Sequence, residues 1–278
     1  MVKKSIDEMS FLDHVEDLRW HLIRATLGIV VAGIIAFIFK RFIFDVIIFG
    51  PTNMDFPTYA GLCKASQFIG ITDTTFCADE FPFTIQNRTV AGQFSAHIWT
   101  SIYAGFIIAF PYVLYQLWSF ISPGLKTNER KSSRGFIVVA SFLFFVGVLF
   151  GYYIVTPLSI NFLANYQVSE KISNEFDISS VIAIVRSSAI ASGFVFELPI
   201  IVYFLTKVGL VTPKILRKYR KFALVIVLIL SAIITPPDIA SQVIVAIPIL
   251  VLYQVSIYIS KIVLRNQKRK EKNVRQRQ

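Results

Sequence analysis

The chain has 278 residues, of which 55% are hydrophobic and 14% aromatic, with a formal net charge of +11 at pH 7 and a mean hydropathy of +0.63. That much apolar surface excludes an ordinary water-soluble domain, because runs long enough to cross roughly 30 Å of hydrocarbon recur along the whole length. The positive charge does not point to nucleic acid either, since most of the 28 Lys and Arg lie in segments between the apolar runs.

Six spans are expected: Trp20–Phe39, Phe94–Ile121, Phe136–Pro157, Val181–Leu205, Phe222–Ile234 and Ile239–Ile259. The first is too long for the apolar region of a signal peptide and follows an acidic segment, so no cleavable leader is expected. The fold class is therefore an all-α integral membrane protein. Its six transmembrane helices are expected to form a concave, kinked bundle with two short C-terminal spans. Residues 1–262 are taken as one membrane domain and residues 263–278 as a basic tail.

The N-terminus, the 122–135 loop, the 206–221 loop and the tail after Ile259 carry most of the cations. The opposite side holds Lys40, Arg41, Lys64, Arg88 and Lys171, with Arg186 just inside the fourth span. The positive-inside rule then puts both termini in the cytoplasm. The tail reads as a topology anchor on anionic lipid rather than an arm for nucleic acid.

Residues 5–19, SIDEMSFLDHVEDLR, read as a helix on the membrane surface ahead of the first span, with Ser10 and Asp13 as a capping box. Phe11, Val15, Leu18 and Leu22 share one helical face, and Asp13, Glu16, Asp17 and Trp20 cluster on the other. Anionic headgroups repel such an acidic stripe. It is either a docking face for a cationic ligand or a solvated face paired with Arg19 and Arg24.

The loop from about Lys40 to Gln93 is too long for a bare connection, and alternating apolar residues predict a strand at Phe81–Ile85. Cys63 and Cys77 both fall in this external loop. Disulfides are allowed on the oxidising side of a bacterial inner membrane, and the spacing leaves a disulfide and two free thiols equally open. Neither cysteine has a partner at metal-ligand spacing, so no metal site and no cofactor is expected.

The second span is long, about 28 residues or roughly 42 Å as a straight helix, and must tilt, bend or protrude. Tyr112, Tyr115 and Trp118 recur towards its end as interfacial aromatics do. It breaks at Ser122-Pro123-Gly124 into a loop where Glu129 stands among Lys126, Arg130, Lys131 and Arg134. Phe222–Ile234 is short, about 13 residues or roughly 20 Å, and Thr235-Pro236-Pro237-Asp238 then turns the chain. Pro111, Pro157, Pro199 and Pro248 lie in or at the ends of spans, where each frees a backbone carbonyl.

Glu197 sits in SGFVFELPIIVYF with apolar residues on both sides. A carboxylate at that depth is costly unless protonated, paired or wetted, which makes it a candidate for function. Arg186 lies about three turns earlier, too far along the helix for a direct pair. No Gly is followed by Lys, which excludes a Walker A loop, and neither HExxH nor G-x-S-x-G occurs. No enzyme signature is present, so any work must draw on a partner or on the membrane potential.

FLDHVEDLRWHL, FPYVLYQLWSFISPGLKTNER, FVFELP and TPPDIASQ, in that order, resemble the TatC subunit of the twin-arginine protein translocase over nearly the whole chain. The resemblance implies a non-enzymatic receptor for paired-arginine signal peptides that exports folded cargo with proton-motive force. It implies TatA- and TatB-type single-span partners, homo- and hetero-oligomers in the lipid bilayer, and no nucleic acid. Asp17 and Glu129 match the two acidic positions that hold the arginine pair. Arg19, Phe120, Pro51, Glu197, Asp238 and Gln242 match other functionally sensitive positions. The chain departs from the pattern at Asp17, where the family usually has Glu. The shorter arm either moves the pairing point or leaves Glu16 to share the work. The first external loop is also longer than the family's usual one. The competing reading is a proton-coupled secondary transporter using Glu197, which leaves the acidic face of the first helix unexplained.

Overall fold

The computed structural model describes residues 11–69, 77, 81–121, 133–169 and 171–276. In chain order its helices are α1 (Phe11–Ile38), α2 (Pro57–Ile69), α3 (Gly92–Ile121), α4 (Ser133–Phe150), α5 (Thr156–Asn165), α6 (Ile178–Phe196), α7 (Leu198–Lys207), α8 (Pro213–Lys218), α9 (Arg220–Ile234) and α10 (Ile239–Arg275). Two short strands, β1 (Phe83–Gln86) and β2 (Asn174–Asp177), form a two-stranded sheet.

Among the described residues, five stretches are long and apolar enough to cross a membrane: Val15–Ile38, Gly92–Ile121, Gly135–Asn165, Ile178–Lys207 and Ser241–Arg269. The protein is an all-α membrane protein. The short fifth expected span is helix α9, whose 15 residues reach roughly 22 Å. Large apolar side chains such as Leu27, Ile38 and Phe142 are more than half exposed along the spans, as suits helices whose outer faces meet lipid.

Three expectations about element limits change. The described part of the expected surface helix is not a separate element: α1 runs unbroken from Phe11 into the first span. No Gly or Pro interrupts the chain before Gly28, so nothing stops helix propagation. Ser10 of the expected capping box lies outside the described residues. The last helix is longer than the expected Ile239–Ile259 stretch, at 37 residues, and continues through much of the basic tail. The strand expected at Phe81–Ile85 is present at Phe83–Gln86.

Backbone contacts cluster into two units. The first contains the residues up to Gly50, Ile85–Phe142 and Phe176–Ile182. Its centre is the α1–α3 pair, where small residues let the backbones approach. A Cβ placed on Gly105 would lie 2.5 Å from the nitrogen of Gly33 and 2.7 Å from the carbonyl oxygen of Ile29. Ala25, Ala32, Ala36 and Ala109 are buried on the same two helices. His97 of α3 stacks on Phe37 of α1 at 3.8 Å between ring centroids, with its Nε2 3.1 Å from the Phe37 carbonyl oxygen.

Asp177, at the start of α6, is also in this unit. Its carboxylate accepts from the Ser179 hydroxyl, from the Ser179 amide at 2.9 Å and from the Arg88 amide at 3.3 Å. The Ser179 hydroxyl, then the two amides, hold this carboxyl below its ordinary value.

The second unit contains Pro51–Thr84, Leu143–Glu175 and the chain from Ala183 onward. Pro157, near the start of α5, has no N–H to give the carbonyl of Tyr153 one turn back. The chain answers with a π-helical turn over Gly151–Val155 and with the Thr58 hydroxyl of α2, which donates to that Tyr153 carbonyl. The next residue of α2, Tyr59, is 1% exposed. Its hydroxyl donates to the carbonyl of Pro51 at 2.8 Å and lies 3.2 Å from that of Pro157. Burial pushes its phenol well above the ordinary range. Cys63 of α2 is disulfide-bonded to Cys77, with Cα atoms 5.2 Å apart.

Glycines again set the approach of the spanning helices. A Cβ on Gly147 would lie 2.6 Å from the carbonyl oxygen of Ser192, and one on Gly151 2.3 Å from that of Ser188. Val155, Val227, Val245, Ala246 and Ile249 form a buried cluster, with Phe150, Val195 and Leu198 packed against it. Thr206 and Ser260 share a buried hydrogen bond of 2.8 Å between α7 and α10. Further along, the Gln267 amide donates to the Lys207 carbonyl at 2.9 Å. Gly209, at φ +86°, ends α7 in the left-handed region that glycine adopts without strain.

Gly151→Ala should lower stability by about 1–3 kcal/mol, because the obstacle is backbone and cannot rotate away. Thermal unfolding in detergent reads this, and an unchanged midpoint would mean the helices are not in contact there. The Asp177 hydrogen bonds stabilise the fold at neutral pH. Because the folded carboxyl titrates below the ordinary value of about 3.9, that contribution is present above it and is lost as pH falls through the lowered folded value. Asp177→Ala should unfold at lower temperature than wild type at pH 7. The gap should close only once the pH is well below the ordinary carboxylate range.

Candidate functional site

Two places in the structure hold the residues singled out by the sequence. The first is the N-terminal end of α1, where it packs on the C-terminal end of α3. Asp17 lies on the α3 side of α1 with its side chain 43% exposed, and its Oδ1 is 3.9 Å from Nε2 of His21, one turn along. The other ring nitrogen of His21, Nδ1, is 2.7 Å from Oε1 of Gln116 on α3. Phe120, one further turn along α3, meets the His21 ring with centroids 6.3 Å apart at an interplanar angle of 60°.

Glu16 and Arg19 form a separate, exposed pair at 3.9 Å. Such a pair contributes little, on the order of 1 kcal/mol or less. The Arg19 guanidinium also lies 5.7 Å from the Trp20 ring centroid. The structure thus joins Asp17 to Phe120 through His21, and Glu16 to Arg19 on the neighbouring face. Glu129, with Lys126, Arg130 and Lys131, lies outside the described residues. Sequence reading missed His21 and Gln116. The His21 position is foreshadowed by its spacing of one helical turn from Asp17, whereas the Gln116 contact bridges two helices.

The second place is the break between α6 and α7. Glu197 stands at that break, with its carbonyl accepting from the amides of Ile200 and Ile201 at 2.9 and 3.0 Å. Pro199 in the first turn of α7 cannot donate to the carbonyl one turn back, which ends α6 there. Glu197 is 7% exposed, and its Oε1 has no hydrogen-bond partner among the described residues. The hydroxyls of Ser188 and Ser192, on the preceding turns of α6, are likewise buried without a partner.

Asp238 and Gln242 do not share a hydrogen bond with Glu197. The Gln242 amide donates to the Leu228 carbonyl of α9 at 3.0 Å. Asp238 caps α10 by accepting from the Ser241 amide at 2.8 Å. The first ties α10 to α9, and the second caps the start of α10. Pro51 is buried and offers its carbonyl to Tyr59. Among the described residues, no three His, Cys, Asp or Glu side chains cluster as metal ligands.

Comparison with known proteins places these features in a family. Residues 13–248 match the family model described as Sec-independent protein translocase protein (TatC). The chain is 44% identical over 259 residues to the Sec-independent protein translocase protein TatC of Blattabacterium sp. subsp. Periplaneta americana, covering 93% of this chain and 97% of that one. It is 32% identical over 265 residues to TatC of Aquifex aeolicus, covering 95% and 100% of the two chains. Among solved structures it is similar to a crystal structure of the twin arginine translocase receptor TatC, with a TM-score of 0.65 and 30% identity over 90% of this chain and 99% of that one. A crystal structure of that receptor in DDM gives a TM-score of 0.68 and 31% identity over 89% and 99%.

Proposed function

Because this chain belongs to the TatC family of Sec-independent protein translocase proteins, we propose that it is the signal-peptide receptor and scaffold within its translocase. The family makes it a multi-pass membrane component of protein transport rather than an enzyme. In the proposed reading it lies in a bacterial inner membrane with both termini in the cytoplasm. Asp17 and Glu129 receive the paired arginines of a signal peptide, flanked by Glu16, Arg19 and Phe120. Single-span partners of the TatA and TatB type assemble with it, and proton-motive force drives folded cargo across.

The observation that carries this reading is the half-exposed Asp17 carboxylate beside the His21 ring, with the neighbouring Glu16 already paired to Arg19. A guanidinium can take both oxygens of a carboxylate at once, which an ammonium cannot copy. Two carboxylates facing two guanidiniums therefore favour Arg over Lys even where solvent screens each pair. Glu197 supports the recruitment half of the proposal. A buried carboxyl oxygen without a partner is a place where a polar side chain of an incoming helix gains a hydrogen bond worth about 1 kcal/mol.

Asp17→Ala or Glu129→Ala should weaken binding of a twin-arginine peptide to the protein in lipid nanodiscs, and Glu129→Lys should weaken it further by adding repulsion. Photocrosslinking from both positions reports contact directly. Wild-type affinity in Glu129→Lys would remove that residue from the site.

Glu197→Ala should impair partner recruitment and transport more than peptide binding, with Glu197→Gln milder because it keeps hydrogen-bonding capacity. Copurification of single-span subunits, measured beside peptide affinity, separates the two roles. Equal loss of peptide binding in both variants would refute the division.

A further inference from the structure

His21 stands between the Asp17 carboxylate and α3, and its neighbours dictate where its hydrogens sit. An amide oxygen only accepts, so the 2.7 Å contact between Nδ1 and Oε1 of Gln116 puts the ring hydrogen on Nδ1. The lone pair is then on Nε2, the atom that faces Oδ1 of Asp17 at 3.9 Å. The side chain is only 12% exposed, and the ring of Phe120 closes one side.

We infer that His21 competes for Asp17 under proton control, so that the docking site weakens on acidification; this rests on the docking role proposed above. With a neutral ring, Nε2 turns a lone pair to the carboxylate and cannot occupy it. Asp17 is then open to an incoming guanidinium. Since Nδ1 already donates to Gln116, an added proton goes to Nε2. The ring becomes a cation beside Asp17 and fills part of its acceptor capacity. A guanidinium must now displace that cation.

Among the described residues, the surrounding charges leave this pairing to His21. On α1 the charged residues within one turn of it are Asp17, Arg19 and Arg24. Arg19 is held by Glu16 and Trp20, and Arg24 is exposed. From α3 come Gln116 and Phe120, and the ionisable groups of that end of the helix are the phenols of Tyr112 and Tyr115. Tyr112 stands against Gly28.

Imidazole is the side chain whose charge changes between about pH 5 and 8. The test is the affinity of a fluorescent twin-arginine peptide for the full chain in nanodiscs at about pH 8 and about pH 5.5, where carboxylates remain ionised. Wild type should bind about two- to fivefold more weakly at the lower pH, the effect of one solvent-screened ion pair. In His21→Asn, which keeps a neutral donor towards Gln116, the ratio between the two pH values should fall to about one. His21→Lys, a fixed cation, should also bind with a ratio of about one.

A purely structural role for His21 would lower affinity in His21→Asn at both pH values and leave the wild-type ratio intact, which would overturn the inference. So would a wild-type affinity that does not change with pH. Asp17→Asn keeps the two claims apart. If it binds at pH 8 as wild type does, the docking reading itself fails. If it binds weakly there while wild type shows no pH response, docking stands and the role of His21 does not.

Discussion

Inside hydrocarbon, a backbone carbonyl that loses its helical donor has only other protein groups to turn to. Pro157 creates such a carbonyl at Tyr153, and much of the second unit follows from how it is satisfied. The Thr58 hydroxyl that reaches it comes from α2, in the external loop of the sequence reading, and so ties that loop to a spanning helix. Tyr59 adds a second tie, its buried hydroxyl between the carbonyls of Pro51 and Pro157. The buried Pro51 carbonyl is thereby satisfied too. The Cys63–Cys77 bond acts on the same α2 at its middle. The loop is a set of partners for polar groups that a proline-bearing membrane helix would otherwise leave exposed to lipid.

Close approach of helices is the second consequence of a solvent without water. Lipid tails are as apolar as leucine, so helices gain from packing against each other only if their surfaces fit closely. Gly33 against Gly105, and Gly147 and Gly151 against the carbonyls of Ser192 and Ser188, provide that fit. The same packing fixes the candidate sites. The Gly33–Gly105 contact sets the register of α1 on α3, and that register brings His21 to Gln116. In the second unit the glycine contacts with α6 end just before Glu197, so the carboxylate sits on a helix held by backbone contact, at the one place where the helix breaks.

These features were unequally legible. The span expected at Phe94–Ile121 is helix Gly92–Ile121, because a long apolar run bounded by a glycine and by a Ser-Pro-Gly break leaves little choice. The short α9 was legible for the same reason, ending before the Pro236-Pro237 turn. The limits of α1 and α10 were not. Charge was read as the end of a span, yet Lys, Arg, Glu and Gln are good helix formers, and no Gly or Pro follows Pro248. A change of solvent need not be a change of secondary structure. Asp17 came into view through its motif and acidic face, but the partner of His21 is 95 residues away in the chain. Only the crossing of two helices creates that pair. The cysteines show the same limit, since their spacing left pairing open and only the fold brings their Cα atoms to 5.2 Å.

The exposure of the acidic site bears on what it is built to do. A guanidinium taken into a buried carboxylate pair would be held strongly, but both ions would first lose several kcal/mol of hydration apiece. Release would then be slow, since affinity differences lie mostly in the off-rate. In the docking role proposed for it, a half-exposed carboxylate such as Asp17 would avoid most of that hydration cost and hold an arginine weakly. Discrimination then has to come from geometry and number rather than from the strength of one pair. Under the proposed docking role, planar two-point contact rejects an ammonium, and the need to fill two carboxylates rejects a single arginine. In Asp17 the arm is shorter than that of a glutamate, so its oxygens sweep a smaller volume and depend more on the orientation that neighbouring side chains impose. The ring of His21, held by Gln116 on α3, is the neighbour that faces it, at 3.9 Å. In the proposed docking role, selectivity at Asp17 would therefore depend on the α1–α3 crossing, which sets His21 beside it, and not on the acidic residue alone.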